Sequence, residues 1–312
     1  EKISDSTFYA MKVLCKDKIF KHKLDRYAMT ERNVLTVIDH PFIVNLNFSF
    51  QTQNELFLIL QYCPGGDLSE YLHVEKKFNE YKARIYWAEV LLALEALHDK
   101  DIIFRDLKPD NVVLDEEGHA LLTDFGLSKQ GVYDFKETKS FWGSYAYLAP
   151  EMVQKTGHGK SVDWYLFGVF IYELLTGIPP YYDNDRDVLF YNIINEDLEL
   201  PNYISNEARD IIVRLMDRNP VTRLGATGAD EIKRHKWFRG INWDDVINKR
   251  LDPPLPYLKR KVKKGNGQVI ISHPLDFEKE SMTLENDPNL IDGWSFVHHE
   301  NRRSIMKNKD YE

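Results

Sequence analysis

Asp106, Lys108 and Asn111 fall within six residues of one proline-containing loop in "IIFRDLKPDNVVLD" (102–115). Asp124 follows in "TDFGLSK", thirteen residues after Asn111, and Glu151 comes later in "LAPE". Phosphoryl transfer from a nucleotide needs such a set: a carboxylate to orient the attacking hydroxyl and a cation for the terminal phosphate. It also needs a carboxylate and an amide oxygen to hold a divalent cation between the phosphates. One more lysine, Lys12, stands in the apolar, β-branched and aromatic run "STFYAMKVL" (6–14). That alternation reads as a strand, and a long cation planted in a strand needs a partner.

These side chains converge only if the elements around them fold together. Residues 7–15, 43–50 and 55–62 read as strands. Between the first two, residues 23–38 carry Leu24, Tyr27, Ala28, Val34, Leu35 and Ile38 at helical spacing, and Asp39 and Pro41 end the run. "CPGGDL" (63–68) is turn-rich. Beyond it the pattern becomes helical over 79–100, 161–177, 185–196, 205–217 and 228–237, apart from two short strand-like runs near 112–123. A small mixed lobe therefore precedes a larger helical one, with a hinge near 61–66. From 239 onward, "DPPLPYLKRKVKKGNG" and its surroundings lack periodicity and read as an extended tail. Its basic run, 259–264, suits a solvated linker or a localisation patch.

A chain of 312 residues with 43% hydrophobic and 29% charged residues has the composition of a globular protein large enough for two lobes. A net charge of −8 argues against a general nucleic-acid binder. Two cysteines, Cys15 and Cys63, make no disulfide framework and point to a reducing compartment. The most apolar stretch, 164–177, is interrupted by Glu173 and is too short to span a bilayer, so it reads as a buried core helix.

In their order and spacing these motifs resemble those of eukaryotic protein kinases, over residues 1 to about 238. The resemblance implies an α+β, bilobal protein-kinase fold: a β-rich N-lobe over 1–60, a hinge over 61–66, a mainly helical C-lobe over 67–238 and a C-terminal tail over 239–312. It implies ATP and Mg²⁺ as cofactors, with Asp106 the catalytic base, Lys108 the γ-phosphate cation, and Asn111 and Asp124 the Mg²⁺ ligands. Lys12 becomes the lysine of the α/β-phosphates and Glu31, in "TERNVL", its helix partner. Nineteen residues separate the two, so they pair only across a strand and a helix folded together. Ala10 and Leu60 are expected to line the adenine pocket, and Gln61 and Cys63 to offer it backbone groups. Asp67 suits a ribose hydroxyl, or equally the N-cap of the next helix. The family's Gly-rich loop is expected just before Glu1.

Phe104, "FWGSYAYLAPE" and "PVTRLG" narrow the likeness to the AGC group of Ser/Thr kinases. Arg223 should pair with Glu151, and Asp163 should brace the catalytic loop from beneath. Ser140 occupies the activation-segment phosphosite, and Arg105 has the fork geometry to hold its phosphate. "IDGWSF" (291–296) resembles the hydrophobic motif, with Ile291 and Trp294 as apolar plugs and Ser295 as phosphosite; packing as a satellite cluster under the tail is the other reading. Asp67, Asp110 and Glu173 match acidic positions that read basic residues before the acceptor. Ile291 replaces the usual Phe and Ser144 the usual Thr, and the tail motif around Phe277 matches loosely. The expected function is Arg-directed Ser/Thr phosphorylation by a cytoplasmic monomer with nuclear access, switched on by an upstream kinase. A nucleotide-binding pseudokinase or scaffold is the alternative.

Overall fold

The computed structural model describes residues 8–131, 145–254 and 290–298; Ser140, Ser144, Phe277 and the basic run 259–264 lie outside them. The chain enters through β1 (Tyr9–Cys15), a short α1 (Lys16–Lys21) and α2 (Asp25–Val37). The antiparallel strands β2 (Leu46–Gln51) and β3 (Glu55–Gln61) follow, with β3 between β1 and β2. Helix α2 buries Ala28, Glu31, Val34 and Leu35, a stripe at helical spacing that contains one carboxylate. Periodicity does not reveal α1, because six residues span less than two turns and four of them are charged.

After β3 the chain passes through β4 (Gly66–Asp67) into α3 (Leu68–Glu75) and the long α4 (Glu80–Asp99). Short strands come next: β5 (Ile102–Ile103), β6 (Val112–Leu114), β7 (Ala120–Leu122) and β8 (Lys129–Gln130). Strands β6 and β7 form a hairpin that β4 joins at its edge, and β5 pairs with β8. The larger lobe is then helical: α5 (Pro150–Val153), α6 (Ser161–Thr176), α7 (Arg186–Asn195) and α8 (Asn206–Leu215). Helix α6 is buried continuously from Ser161 to Leu175, as a helix apolar on all sides must be. Together α4 and α6 form the centre of the hydrophobic core.

Two expectations need correction. The helix expected over 228–237 stops early: α9 covers Ala229–Lys233, and extended His235 accepts from the Trp237 amide at 3.2 Å to start a 3-10 turn. The segment after 239 is not wholly extended, since α10 (Trp243–Ile247) forms behind an Asn242 cap. Five residues are too few to show a period. At the far end β9 (Phe296–Val297) adds antiparallel to β2, giving the order β1-β3-β2-β9.

Candidate active site

The loop after β5 is held from below by one carboxylate. Asp163 of α6, fully buried, accepts from the backbone amides of Phe104 and Arg105 and contacts His98 Nε2, each at 2.8 Å. Arg105 adopts φ 68° and Asp124 φ 62°, a left-handed conformation that costs a non-glycine residue energy. This bracing against a buried charge keeps the loop in its bend.

Above the brace, Asn111 Nδ2 donates to both the backbone oxygen and Oδ2 of Asp106, at 2.7 Å each. Lys108 Nζ lies 3.2 Å from the same Oδ2. Burial pushes the Asp106 carboxyl up from its ordinary range and nearby Asp124 adds to this, against Lys108 and Asn111. A carboxylate raised in this way is a better proton acceptor than a solvated one.

Lys12 Nζ lies 2.8 Å from both oxygens of Glu31 and 3.3 Å from Asp124 Oδ1. Strand β1 aims the lysine at the stripe of α2, so the charge buried among apolar side chains meets its counter-ion there. Burial works against the Lys12 ammonium, but Glu31 and Asp124 outweigh it and raise its pKa. Glu31 is raised by burial, with Lys12 opposing. Asp124 stays about half exposed at the mouth of this array.

Asn111 and Asp124 present an amide oxygen and a carboxylate, hard donors that suit Mg²⁺. Among the described residues no three His, Cys, Asp or Glu side chains cluster to hold a metal alone. Such a two-residue site fits an ion that completes its shell with water and phosphate oxygens.

Ala10 and Leu60 are register partners across β1 and β3. The Gln61 amide is already donated to Asn45 O at 2.8 Å. Burial, then the Asp115 charge, pushes the Cys63 thiol up to about 12, so it is unreactive. A Cβ on Gly65 would lie 2.4 Å from the Leu114 Cβ, so only glycine lets the hinge meet β6 this closely. Asp67 caps α3, Oδ1 accepting from the Glu70 amide at 3.0 Å, which realises the cap reading. Asp110 is exposed beside the loop. Glu173, in the last turn of α6, accepts from the Tyr147 hydroxyl, and burial with nearby Asp110 pushes its carboxyl up to about 7.

Arg223 Nη1 and Nη2 donate to Glu151 Oε1 and Oε2 at 2.6 and 2.9 Å, a buried bidentate pair. Arg105 Nε donates to Leu127 O at 2.7 Å and Nη2 to Ser128 O at 3.3 Å. The phosphosite expected above it, Ser140, lies outside the described residues.

The segment 290–298 docks on the small lobe of its own chain. Trp294 is fully buried, its Nε1 donating to Phe50 O at 2.8 Å, and Gln51 exchanges two hydrogen bonds with the Ile291 backbone. Arg32, next to Glu31, donates to Trp294 O and Ser295 O at 3.1 Å each and lies over the Phe296 ring. Ser295 is exposed. Trp294→Ala should cost docking about 3 kcal/mol or more, enough to release the segment. Faster amide exchange along β2 and 294–298 is the expected result. An unchanged β2 exchange pattern would refute the docking.

Sequence reasoning missed Arg32, Tyr147 and His98. Arg32 carried the one available signal, a cation beside Glu31 on the same helix. The partners of the other two are 26 and 65 residues away and leave no local pattern.

A family model described as the protein kinase domain matches residues 1–238. The chain is 46% identical over 253 residues to a RAC family serine/threonine-protein kinase homolog of Dictyostelium discoideum, covering 80% of this chain and 56% of that protein. It is 45% identical over 253 residues to serine/threonine-protein kinase Sgk1 of Xenopus tropicalis, covering 80% and 60%. To serine/threonine-protein kinase YPK1 of Saccharomyces cerevisiae it is 38% identical over 301 residues, covering 96% and 44%. The chain thus spans about half the length of these curated relatives.

Proposed function

This chain belongs to the protein kinase family, within its AGC group, and from that premise we propose that it phosphorylates serine or threonine in proteins using Mg·ATP. The observation that carries this reading is the convergence on one cleft of two contact sets, Lys12–Glu31–Asp124 and Asp106–Lys108–Asn111, linked by the Asp124 charge acting on Asp106. The completeness of this set weighs against a pseudokinase or scaffold.

In this reading Asp106 accepts the proton of the attacking hydroxyl, Lys108 faces the transferred phosphoryl group, and Lys12 holds the α/β-phosphates once Glu31 has oriented it. Asn111 and Asp124 would hold Mg²⁺, which would supply positive charge against the nucleotide phosphates. Ala10, Leu60, Gln61 and Cys63 enclose the purine, and Asp67, whose Oδ1 caps α3, offers its other carboxylate oxygen to the ribose. Phosphorylation of Ser140 by an upstream kinase, read by Arg105, and of Ser295 in the docked segment would stabilise the paired Lys12–Glu31 state. Among the described residues no helix is long and apolar enough to cross a membrane. A monomer in the cytoplasm, with access to the nucleus, suits this reading.

Asp110 and Glu173 lie close enough to raise the Glu173 carboxyl, an acidic face suited to an arginine before the acceptor. Glu173 is charged above about pH 7 and neutral below it. An arginine favours the charged form, so basic peptides should bind less well as the pH falls through that value. Degenerate-peptide phosphorylation with Mg·ATP, at about pH 8 and about pH 6, tests both points. The expected outcome is selection for arginine two or three residues before the acceptor, with a preference that shrinks at the lower pH. A flat peptide profile sinks the acidic-face assignment, and no phosphorylation at all sinks the enzymatic reading.

A further inference from the structure

Lys249 follows α10, beyond every element that carries a candidate catalytic residue. Its Nζ nevertheless lies 2.7 Å from Asp115 Oδ2 and 5.8 Å over the Phe42 ring. Asp115 is the turn of the β6–β7 hairpin. Its other oxygen, Oδ1, accepts from the amides of Glu117, Gly118 and His119 at 3.0, 2.9 and 2.9 Å. The open end of the same hairpin holds the two candidate Mg²⁺ ligands: Asn111 directly precedes β6, and Asp124 lies two residues beyond β7. A bond from the Thr123 amide to Asn111 O, 3.0 Å, closes that end.

The second contact of Lys249 leads to the same place. Phe42 O accepts from the Leu122 amide at 2.9 Å, and Leu122 is the last residue of β7 before the chain turns to Asp124. Glu89 of α4, buried, also holds the hairpin: it accepts from the Ala120 amide and contacts His119 Nδ1, both at 2.7 Å. Each strand is three residues long, so turn and open end are only about 10 Å apart and a shift at one reaches the other.

We infer that Lys249 is a positioning residue for the Asn111–Asp124 pair, acting through Asp115 and Phe42, so that the segment after the helical lobe sets how well Mg²⁺ supports nucleotide binding. The inference rests on the reading of this cleft as a Mg·ATP site. The released Asp115 carboxylate would keep its three amide donors but lose its counter-ion, loosening the turn without unfolding the hairpin.

The test uses the full chain and its K249M and K249R variants, with a fluorescent ATP analogue titrated in Mg²⁺ and again in EDTA. Amide exchange of residues 112–124 is followed without ligand. K249M should weaken Mg²⁺-supported binding about tenfold, leave binding in EDTA within about twofold and speed exchange in the turn; K249R should restore all three. Equal weakening in both conditions means a general structural role and overturns the inference, as does unchanged Mg²⁺ support. If the unmodified chain shows no Mg²⁺-dependent nucleotide binding, the functional reading itself falls, and the inference with it.

Discussion

Asp106→Asn is expected to leave a folded chain whose phosphoryl transfer is at least about 10²-fold slower, the usual contribution of a positioned proton acceptor. The substitution conserves shape. An amide oxygen at this position still accepts from Asn111 Nδ2, which bonds Oδ2 at 2.7 Å, and the brace from Asp163 reaches the backbone of Phe104 and Arg105, not the side chain. What is lost is the basic oxygen that burial has raised, together with the counter-charge of Lys108 at 3.2 Å. The effect should therefore fall on kcat, while the KM for a basic peptide and nucleotide binding stay close to those of the unmodified chain. Steady-state kinetics alongside nucleotide titration check this, and turnover near the unmodified rate would remove Asp106 from the mechanism.

Arg223→Ala is expected to give the largest loss of stability. It leaves the Glu151 carboxylate buried without the cation that chelates it, a situation that costs about 3–5 kcal/mol. The same guanidinium donates to Ser161 O at 2.8 Å and Asp217 O at 2.9 Å and lies 5.1 Å over the Tyr165 ring, so one buried and one partly buried carbonyl also lose a donor. Denaturant midpoints should show the loss directly. Replacing both partners by leucine, E151L with R223L, should recover much of it, because no charge is then left unpaired in the core. If the double variant is no more stable than R223A alone, packing around Tyr165 and not the ion pair is what the arginine supplies. Asp106→Asn, by contrast, should barely move the midpoint.

Much of the candidate site was legible because its chemistry is local. Asp106, Lys108 and Asn111 lie in one tight loop, and a loop that must hold a base, a cation and an amide over a few residues leaves a compact signature. Helices α2, α4 and α6 were legible too: the buried residues of α2 mark a helical period, and α4 and α6 are long, largely apolar runs. Elements α1 and α10, of six and five residues, fall below that length.

By itself the sequence determined the two-lobe pattern, the chemical types gathered at the cleft and the family to which they belong. Only the tertiary structure decided how those groups are held. Arg32 meets Trp294 across 262 residues, Lys249 meets Asp115 across 134, and His98 meets Asp163 across 65. A single charged side chain carries no mark of its distant partner. Its pairing is set when packing leaves only a few counter-charges or backbone carbonyls within reach, and that condition exists only once the chain has folded.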